Sequence, residues 1–301
     1  MIELSQVSKT FTKESILENI NLSIPEGHIY GLIGTNGAGK STLLRLMAGI
    51  YKPDRGNVIL DNMTVFQNPK AKGQLFFIPD DLFFPTNANP LDMASYYQGI
   101  YPDFDRARYE KLLKAFSLPP KKAVKNMSKG MKRQVAILCG ICSNTKYLYC
   151  DETFDGLDPV IRQSVKALLM KDLEERQLTP IIASHNLREQ EDICEQIGIL
   201  HHGKIVLSKD ILEMKYQISK VEVCFETEED AQACLAKLDI HDLVQKGPLY
   251  LFHAKGDRED VLSILKQANT TYLDLLPLSL EEIFIDEMEA IGYDIKKLIL
   301  D

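Results

Sequence analysis

The chain lacks any apolar run close to the roughly 20 residues that span a bilayer, so none of its 301 residues reads as a transmembrane helix. Its first residues, Met1-Ile2-Glu3-Leu4-Ser5, carry neither the basic start nor the apolar stretch of a secretory signal. Cysteine is sparse and scattered, at positions 139, 142, 150, 194, 224 and 234. Only Cys139-Gly140-Ile141-Cys142 has a CxxC spacing, and it falls in a helical apolar stretch without a second pair or histidine partners. A disulfide framework or zinc site finds no support, and the cysteines read as small buried residues of a reducing cytosol. Internal repeats, low-complexity linkers and sustained heptads are also missing, which removes solenoids and coiled coils.

Basic charge is short in one region above all. Residues 210–301 hold 20 acidic and 9 basic side chains, a net of -11, whereas residues 1–209 hold 26 basic and 23 acidic, a net of +3. Such a tail repels nucleic acid and anionic membrane surfaces, and it reads as a separate acidic unit. What remains is the composition of an ordinary globular protein, 45% hydrophobic and 26% charged.

Two alternating segments, 2–7 and 16–24, read as strands, and Pro25-Glu26-Gly27 turns the chain into the apolar strand 28–34. Residues 40–50 follow as a helix with Leu43, Leu44, Leu46 and Met47 on its buried side. Residues 90–126 show helical spacing and no strong strand, so they form a helical insertion. Strands at 146–151, 179–184 and 196–200, with a helix at 159–176, predict a largely parallel α/β core. Beyond about 215 the order becomes strand 221–225, helix 229–238, hairpin 241–254, helix 257–268 and strand 271–276, with a last helix at 279–290. That βαββαβ order predicts a small ferredoxin-like sandwich.

The sharpest motif is Gly34-Thr35-Asn36-Gly37-Ala38-Gly39-Lys40-Ser41-Thr42, which satisfies GxxxxGK[ST] between a strand and a helix. Glycines let successive backbone N–H groups approach a triphosphate, and the following helix adds its positive end. Lys40 then reaches the phosphates, and the Ser41 hydroxyl helps hold Mg²⁺. A second motif, Tyr147-Leu148-Tyr149-Cys150-Asp151-Glu152, ends an apolar strand in two carboxylates at the sheet edge where α/β proteins bind ligands. Asp151 is the expected Mg²⁺ ligand, and Glu152 the expected general base for an attacking water.

With both motifs in view, residues 1 to about 210 resemble the ATP-binding subunit of an ABC transporter. The resemblance implies a P-loop NTPase cassette over 1–212, with a mixed sheet core, a β subdomain and a helical subdomain at about 86–142. An acidic α+β accessory domain over 213–301 completes the expected architecture. Met127-Ser128-Lys129-Gly130-Met131 stands where the family has Leu-Ser-Gly-Gly-Gln; Ser128 and Gly130 match, while Met127, Lys129 and Met131 depart. In the family this segment caps the γ-phosphate bound by the opposite subunit, which assigns Ser128, Lys129, Gly130 and Met131 to a partner's ATP. The resemblance also makes Asp158 of Asp155-Gly156-Leu157-Asp158 the D-loop aspartate, His185 the switch histidine, and Phe11 the ring that stacks on adenine.

One departure concerns the metal. Where the family has Gln on Mg²⁺ and the attacking water, Phe77-Ile78-Pro79 leads into Asp80. Two like charges 4 Å apart repel by about 4 kcal/mol at an effective dielectric of about 20. Asp80 is therefore expected to work only with the metal bound and to make hydrolysis slow or partner-dependent.

The resulting expectation is an ATPase with cofactors ATP and Mg²⁺, paired with a second copy or a homologous cassette and delivering work to an integral membrane permease. It is expected to be cytoplasmic, on the inner face of the cell membrane, and not to bind nucleic acid. Tyr101-Pro102-Asp103-Phe104-Asp105, the Ser-Lys-Gly-Met segment and the ending Ser279-Leu280-Glu281-Glu282-Ile283-Phe284 resemble bacterial multidrug or antibiotic exporters of the ABC-2 type. Two other readings stay open: a soluble ABC-type ATPase acting on ribosomes or DNA, and a non-hydrolysing switch that uses ATP only to dimerise.

Overall fold

A computed structural model describes residues 1–12 and 14–290. The chain divides into two units, Met1–Ser208 and Lys209–Asp301. The first opens with β1 (Ile2–Phe11), β2 (Glu14–Ile24), β3 (Tyr30–Ile33), α1 (Lys40–Met47), β4 (Arg55–Leu60), β5 (Met63–Thr64), α2 (Pro69–Lys72) and β6 (Leu75–Ile78). It continues through α3 (Pro90–Gln98), α4 (Arg106–Ala115), α5 (Lys129–Cys142), β7 (Tyr147–Asp151), α6 (Pro159–Arg176), β8 (Thr179–Ser184), α7 (Leu187–Ile193), β9 (Gln196–His201) and β10 (Lys204–Asp210).

Two sheets result. An antiparallel sheet has the order β2-β1-β4-β5, with Ile2 opposite both Ile24 and Leu60. Alternation in Ile2-Glu3-Leu4 turns the apolar members inward, as a half-buried strand requires. The other sheet has the order β10-β9-β3-β8-β7-β6. Its neighbours β9/β3, β3/β8, β8/β7 and β7/β6 are parallel. Strands β3, β7 and β8 are buried at every residue, which explains why they are continuous apolar runs. Helix α1 lies among them: Leu43, Leu44, Leu46 and Met47 share one core with Ile2, Leu4, Tyr147, Tyr149 and Ile181.

The expected insertion is α3 and α4, packed on each other and on α5. Asn89 caps α3 in a capping box with Asp92, and Pro90 occupies the first turn. Asp172 of α6, only 1% exposed, ties this layer to the core. It accepts two hydrogen bonds from Arg108 of α4, at 2.5 and 3.1 Å, and two from Arg176, at 2.8 and 3.1 Å. Cys139 and Cys142 are free and buried in α5, where burial pushes the Cys139 thiol up to about 12.

In the second unit α8 (Ile211–Gln217) precedes β11 (Ile218–Phe225), α9 (Glu228–Leu235), β12 (Asp239–Lys246), β13 (Leu249–Lys255), α10 (Arg258–Lys266), β14 (Thr270–Pro277) and α11 (Leu280–Ala290). The sheet is antiparallel with order β12-β13-β11-β14. Val221, Val223, Phe252 and Leu275 pack with Ala231 and Cys234 of α9 and Val261 and Leu265 of α10. Polar pairs join α11 to the sheet: Glu282 accepts from Lys220 at 2.9 Å, and Asp286 lies 3.2 Å from His253 Nδ1.

Candidate active site

The segment after β3 must turn sharply between a buried strand and α1. At Gly34 a Cβ would lie 2.4 Å from the carbonyl oxygen of Leu200, so no side chain fits. At Gly39 the backbone is left-handed, φ 108°, immediately before α1. No side chain caps that helix, so its first N–H groups stay free for an anion. Lys40 is 6% exposed and folds back over the loop, its Nζ donating to the Gly34 carbonyl at 2.7 Å.

A cleft of about 420 Å³ opens over this loop. It is lined by Phe11, Ile16, Thr35, Asn36, Gly37, Gly39 to Thr42, Asp80 and Glu152. Phe11 is 39% exposed, lies edge-on to Tyr51 with ring centroids 5.2 Å apart, and has the Lys9 ammonium 5.2 Å from its centroid. Sequence reasoning missed Ile16, whose strand pattern gave no sign that it reaches the cleft.

The carboxylates at the end of β7 have different surroundings. Asp151 is fully buried; its Oδ1 accepts from the Ser41 hydroxyl at 2.9 Å, while its Oδ2 has no hydrogen-bond partner among the described residues. Burial, first of all, pushes its carboxyl above the usual carboxylate range, with Glu152 and Asp80 adding to the rise and the Ser41 bond opposing it. An orphaned buried carboxylate oxygen beside a hydroxyl is a donor set for a hard divalent cation, so the residues fit Mg²⁺. Glu152 sits one residue on, in a left-handed backbone conformation, φ 47°. Lys40 Nζ lies 3.3 Å from Glu152 Oε1, and His185 Nδ1 lies 2.9 Å from Glu152 Oε2. Lysine, glutamate and histidine thus meet from three segments: the start of α1 and the residues just after β7 and β8.

The other expected residues lie in different settings. Ser128 caps α5, accepting from the Met131 N–H at 3.2 Å; neither it nor Lys129, Gly130 or Met131 lines the cleft of its own chain. Asp158 caps α6, accepting from the N–H groups of Val160 and Ile161 at 3.1 and 3.0 Å. The aspartate of that loop nearest the histidine is Asp155, 3.8 Å from His185 Nδ1. Its carboxyl is raised mainly by burial and secondarily by the charge of Glu152. Asp80 receives a hydrogen bond from Arg133 Nη2 at 2.9 Å. That pairing spans 53 residues, so spacing gave no signal for it.

Comparison with known proteins gives the same outline. Residues 17–155 match the ABC transporter family. The ABC transporter ATP-binding protein YtrB of Bacillus subtilis is 30% identical over 285 residues, covering 95% of this chain and 97% of the relative. The methionine import ATP-binding protein MetN of Legionella pneumophila is 28% identical, covering 91% of this chain and 84% of the relative. Among solved structures, the dimeric bacterial ABC transporter cassette MJ0796 superposes with a TM-score of 0.63 at 25% identity, over 70% of this chain and 99% of that one. With a relative matched from end to end and a phosphate loop facing two carboxylates, the chain belongs to the ABC transporter ATP-binding family and is an ATPase subunit of a transporter.

Proposed function

We propose that the cleft of one protomer holds Mg·ATP and that a second cassette closes over it, Glu152 serving as general base. The observation that carries this reading is the meeting of Lys40, Glu152 and His185 beside a buried Asp151–Ser41 pair. Lys40 and the free N–H groups before α1 bind the phosphates, and Phe11 stacks on the base. Ser41, Asp151 and Asp80 would hold Mg²⁺, which would supply charge neutralisation for the triphosphate. With ATP bound, Lys40 leaves Glu152 for the phosphates, and Glu152 is freed to take a proton from water. His185 then orients Glu152 and contacts the γ-phosphate. Ser128, Lys129, Gly130 and Met131 act on the partner's nucleotide, and Asp158 sets the D-loop by capping α6.

The work is delivered to a separate permease at the cytoplasmic face of the membrane. Among the described residues no helix is long and apolar enough to cross a membrane. Phe83, just after Asp80, is 85% exposed, and Tyr96 and Ile100 of the helical layer are 54% and 51% exposed. Large exposed apolar side chains of this kind suit a docking face. Coexpression with the permease tests it: Phe83→Asp loses copurification while keeping ATP affinity. Retained copurification removes Phe83 from the interface.

On direction we favour export, which the Tyr101-Pro102-Asp103-Phe104-Asp105 stretch and the Ser-Lys-Gly-Met segment support. The names of relatives such as MetN point to methionine import instead. Inside-out vesicles carrying the assembled transporter decide between them: ATP-driven accumulation inside supports export, and ATP-driven release supports import.

A further inference from the structure

We propose that Arg133 is a positioning residue for Asp80: it cancels the charge of a carboxylate standing in an anion-binding cleft and so lets ATP enter. This rests on the reading that the cleft binds ATP and adds what makes that binding compatible with Asp80. Asp80 lines the cleft with its side chain 55% exposed, on the loop after β6. Arg133 is 3% exposed, on α5 one turn after Ser128, and its Nη2 donates to Asp80 Oδ1 at 2.9 Å. A guanidinium this buried is held only where an acceptor repays its desolvation, and the Asp80 carboxylate is that acceptor.

The rest of the guanidinium faces the D-loop. Nη1 is buried without a hydrogen-bond partner among the described residues, and a Cβ built on Gly156 would lie 3.8 Å from it. The positive charge also bears on Asp155, whose carboxyl it pulls down against burial and Glu152. Arg133 therefore links α5 to the loop that bears Asp80 and to the loop that bears Gly156, segments far apart in sequence. Glu152 has the Lys40 ammonium and the His185 ring as neighbours; Asp80 has Arg133. Without it, a bare carboxylate would meet the triphosphate whenever metal is absent, the repulsion that the sequence alone raised.

The test is a double-mutant cycle on the full chain, reading ATP affinity by calorimetry in EDTA, with thermal melts to establish that every variant folds. Arg133→Met should weaken metal-free ATP binding roughly tenfold, about 1.4 kcal/mol, of which about 1 kcal/mol is coupling to Asp80. In an Asp80→Asn background the same change should cost only about twofold, because the charge it neutralised is gone. Arg133→Lys should restore most of the affinity, and a role in packing alone would give no such rescue. Equal losses in both backgrounds overturn the proposal. Lys40→Ala separates this from the wider reading: if it binds ATP like the wild type, the cleft itself is misassigned. If Lys40→Ala abolishes binding while the cycle is additive, only the role of Arg133 falls.

Discussion

Replacing Asp151 by Asn should make the ATP-free protein more stable and make Mg·ATP nearly useless as a stabiliser. The native carboxylate is fully buried, has one hydrogen bond from Ser41, and leaves Oδ2 without a partner. A buried ion in that state carries a penalty of several kcal/mol after relaxation. Asparagine keeps the Ser41 bond and leaves a neutral N–H₂ short of partners, at roughly 1–3 kcal/mol. The difference favours the variant by about 1–3 kcal/mol, which for a unit of this size raises Tm by roughly 3–10 °C. The pH dependence has a definite sign. Asp151 holds its proton to a higher pH folded than unfolded, so its ionisation costs no stability at low pH and costs more as pH rises through its raised pKa. Wild type and variant should therefore converge toward about pH 4, the ordinary carboxylate range. Ligand reverses the order: at a hundredfold excess over Kd, Mg·ATP should stabilise the wild type by about 2.7 kcal/mol, and the variant by little. Scanning calorimetry between pH 4 and 8, with and without Mg·ATP, measures all three effects. An Asp151→Asn protein less stable than wild type at pH 7, or one equally stabilised by Mg·ATP, refutes the reasoning.

Three further outcomes are expected. Glu152→Gln should retain ATP affinity, lower turnover by about 10²–10⁴, and let ATP-bound dimers accumulate on size exclusion; undiminished turnover would remove Glu152 as the base. Asp172→Ala should cost about 3–5 kcal/mol in denaturant unfolding, since it removes the carboxylate that accepts from Arg108 and Arg176 at 2.5 to 3.1 Å and leaves Arg176 with the backbone carbonyls of Thr145 and Ile141. In the second unit Asp286 raises the pKa of His253, so their contact contributes fully below about pH 6.5 and fades as pH rises through the raised value. Protection factors of the α11 amides, which remove the intrinsic rise of exchange with pH, should accordingly fall above neutrality in the wild type and stay level in His253→Gln.

Much of the fold was legible because local signals agreed with tertiary demands. The helix expected at 159–176 is α6, Pro159–Arg176. Asp158 caps it and proline fits its first turn, so boundary and propensity coincide. The strand expected at 179–184 is β8, Thr179–Ser184, an apolar run buried throughout. The tail showed its βαββαβ order through alternation and the Lys246-Gly247-Pro248 turn, where Gly247 takes φ 61°. By contrast β4, Arg55–Leu60, was not legible: its first three residues are exposed, and only Val58 and Leu60 are buried, opposite Leu4 and Ile2. That strand exists because β1 is there to pair with it, and no local pattern records a partner some fifty residues away. The phosphate loop and the Asp151-Glu152 pair were likewise local words. Arg133 was not, because a helix-face arginine reads as solvated until the fold buries it against Asp80.

The charges around the cleft favour Asp151 among the proposed Mg²⁺ ligands. Three carboxylates gather there: Asp80, Asp151 and Glu152. Glu152 has Lys40 and His185 within 3.3 Å, and Asp80 has Arg133 at 2.9 Å. Among the described residues the Asp151 carboxylate has one hydrogen-bond partner, the neutral Ser41 hydroxyl, with the charge of Arg45 acting on it without a hydrogen bond. The most buried carboxylate is thus the least compensated, which is unstable for a purely structural group and apt for one that waits for a cation. On the proposed reading ATP offers Lys40 a competing acceptor, since its Nζ lies 3.3 Å from Glu152 Oε1. A phosphate that draws the Lys40 ammonium would, on that reading, loosen its hold on Glu152, and Mg²⁺ held by Ser41 and Asp151 would supply the charge that the buried carboxylate lacks.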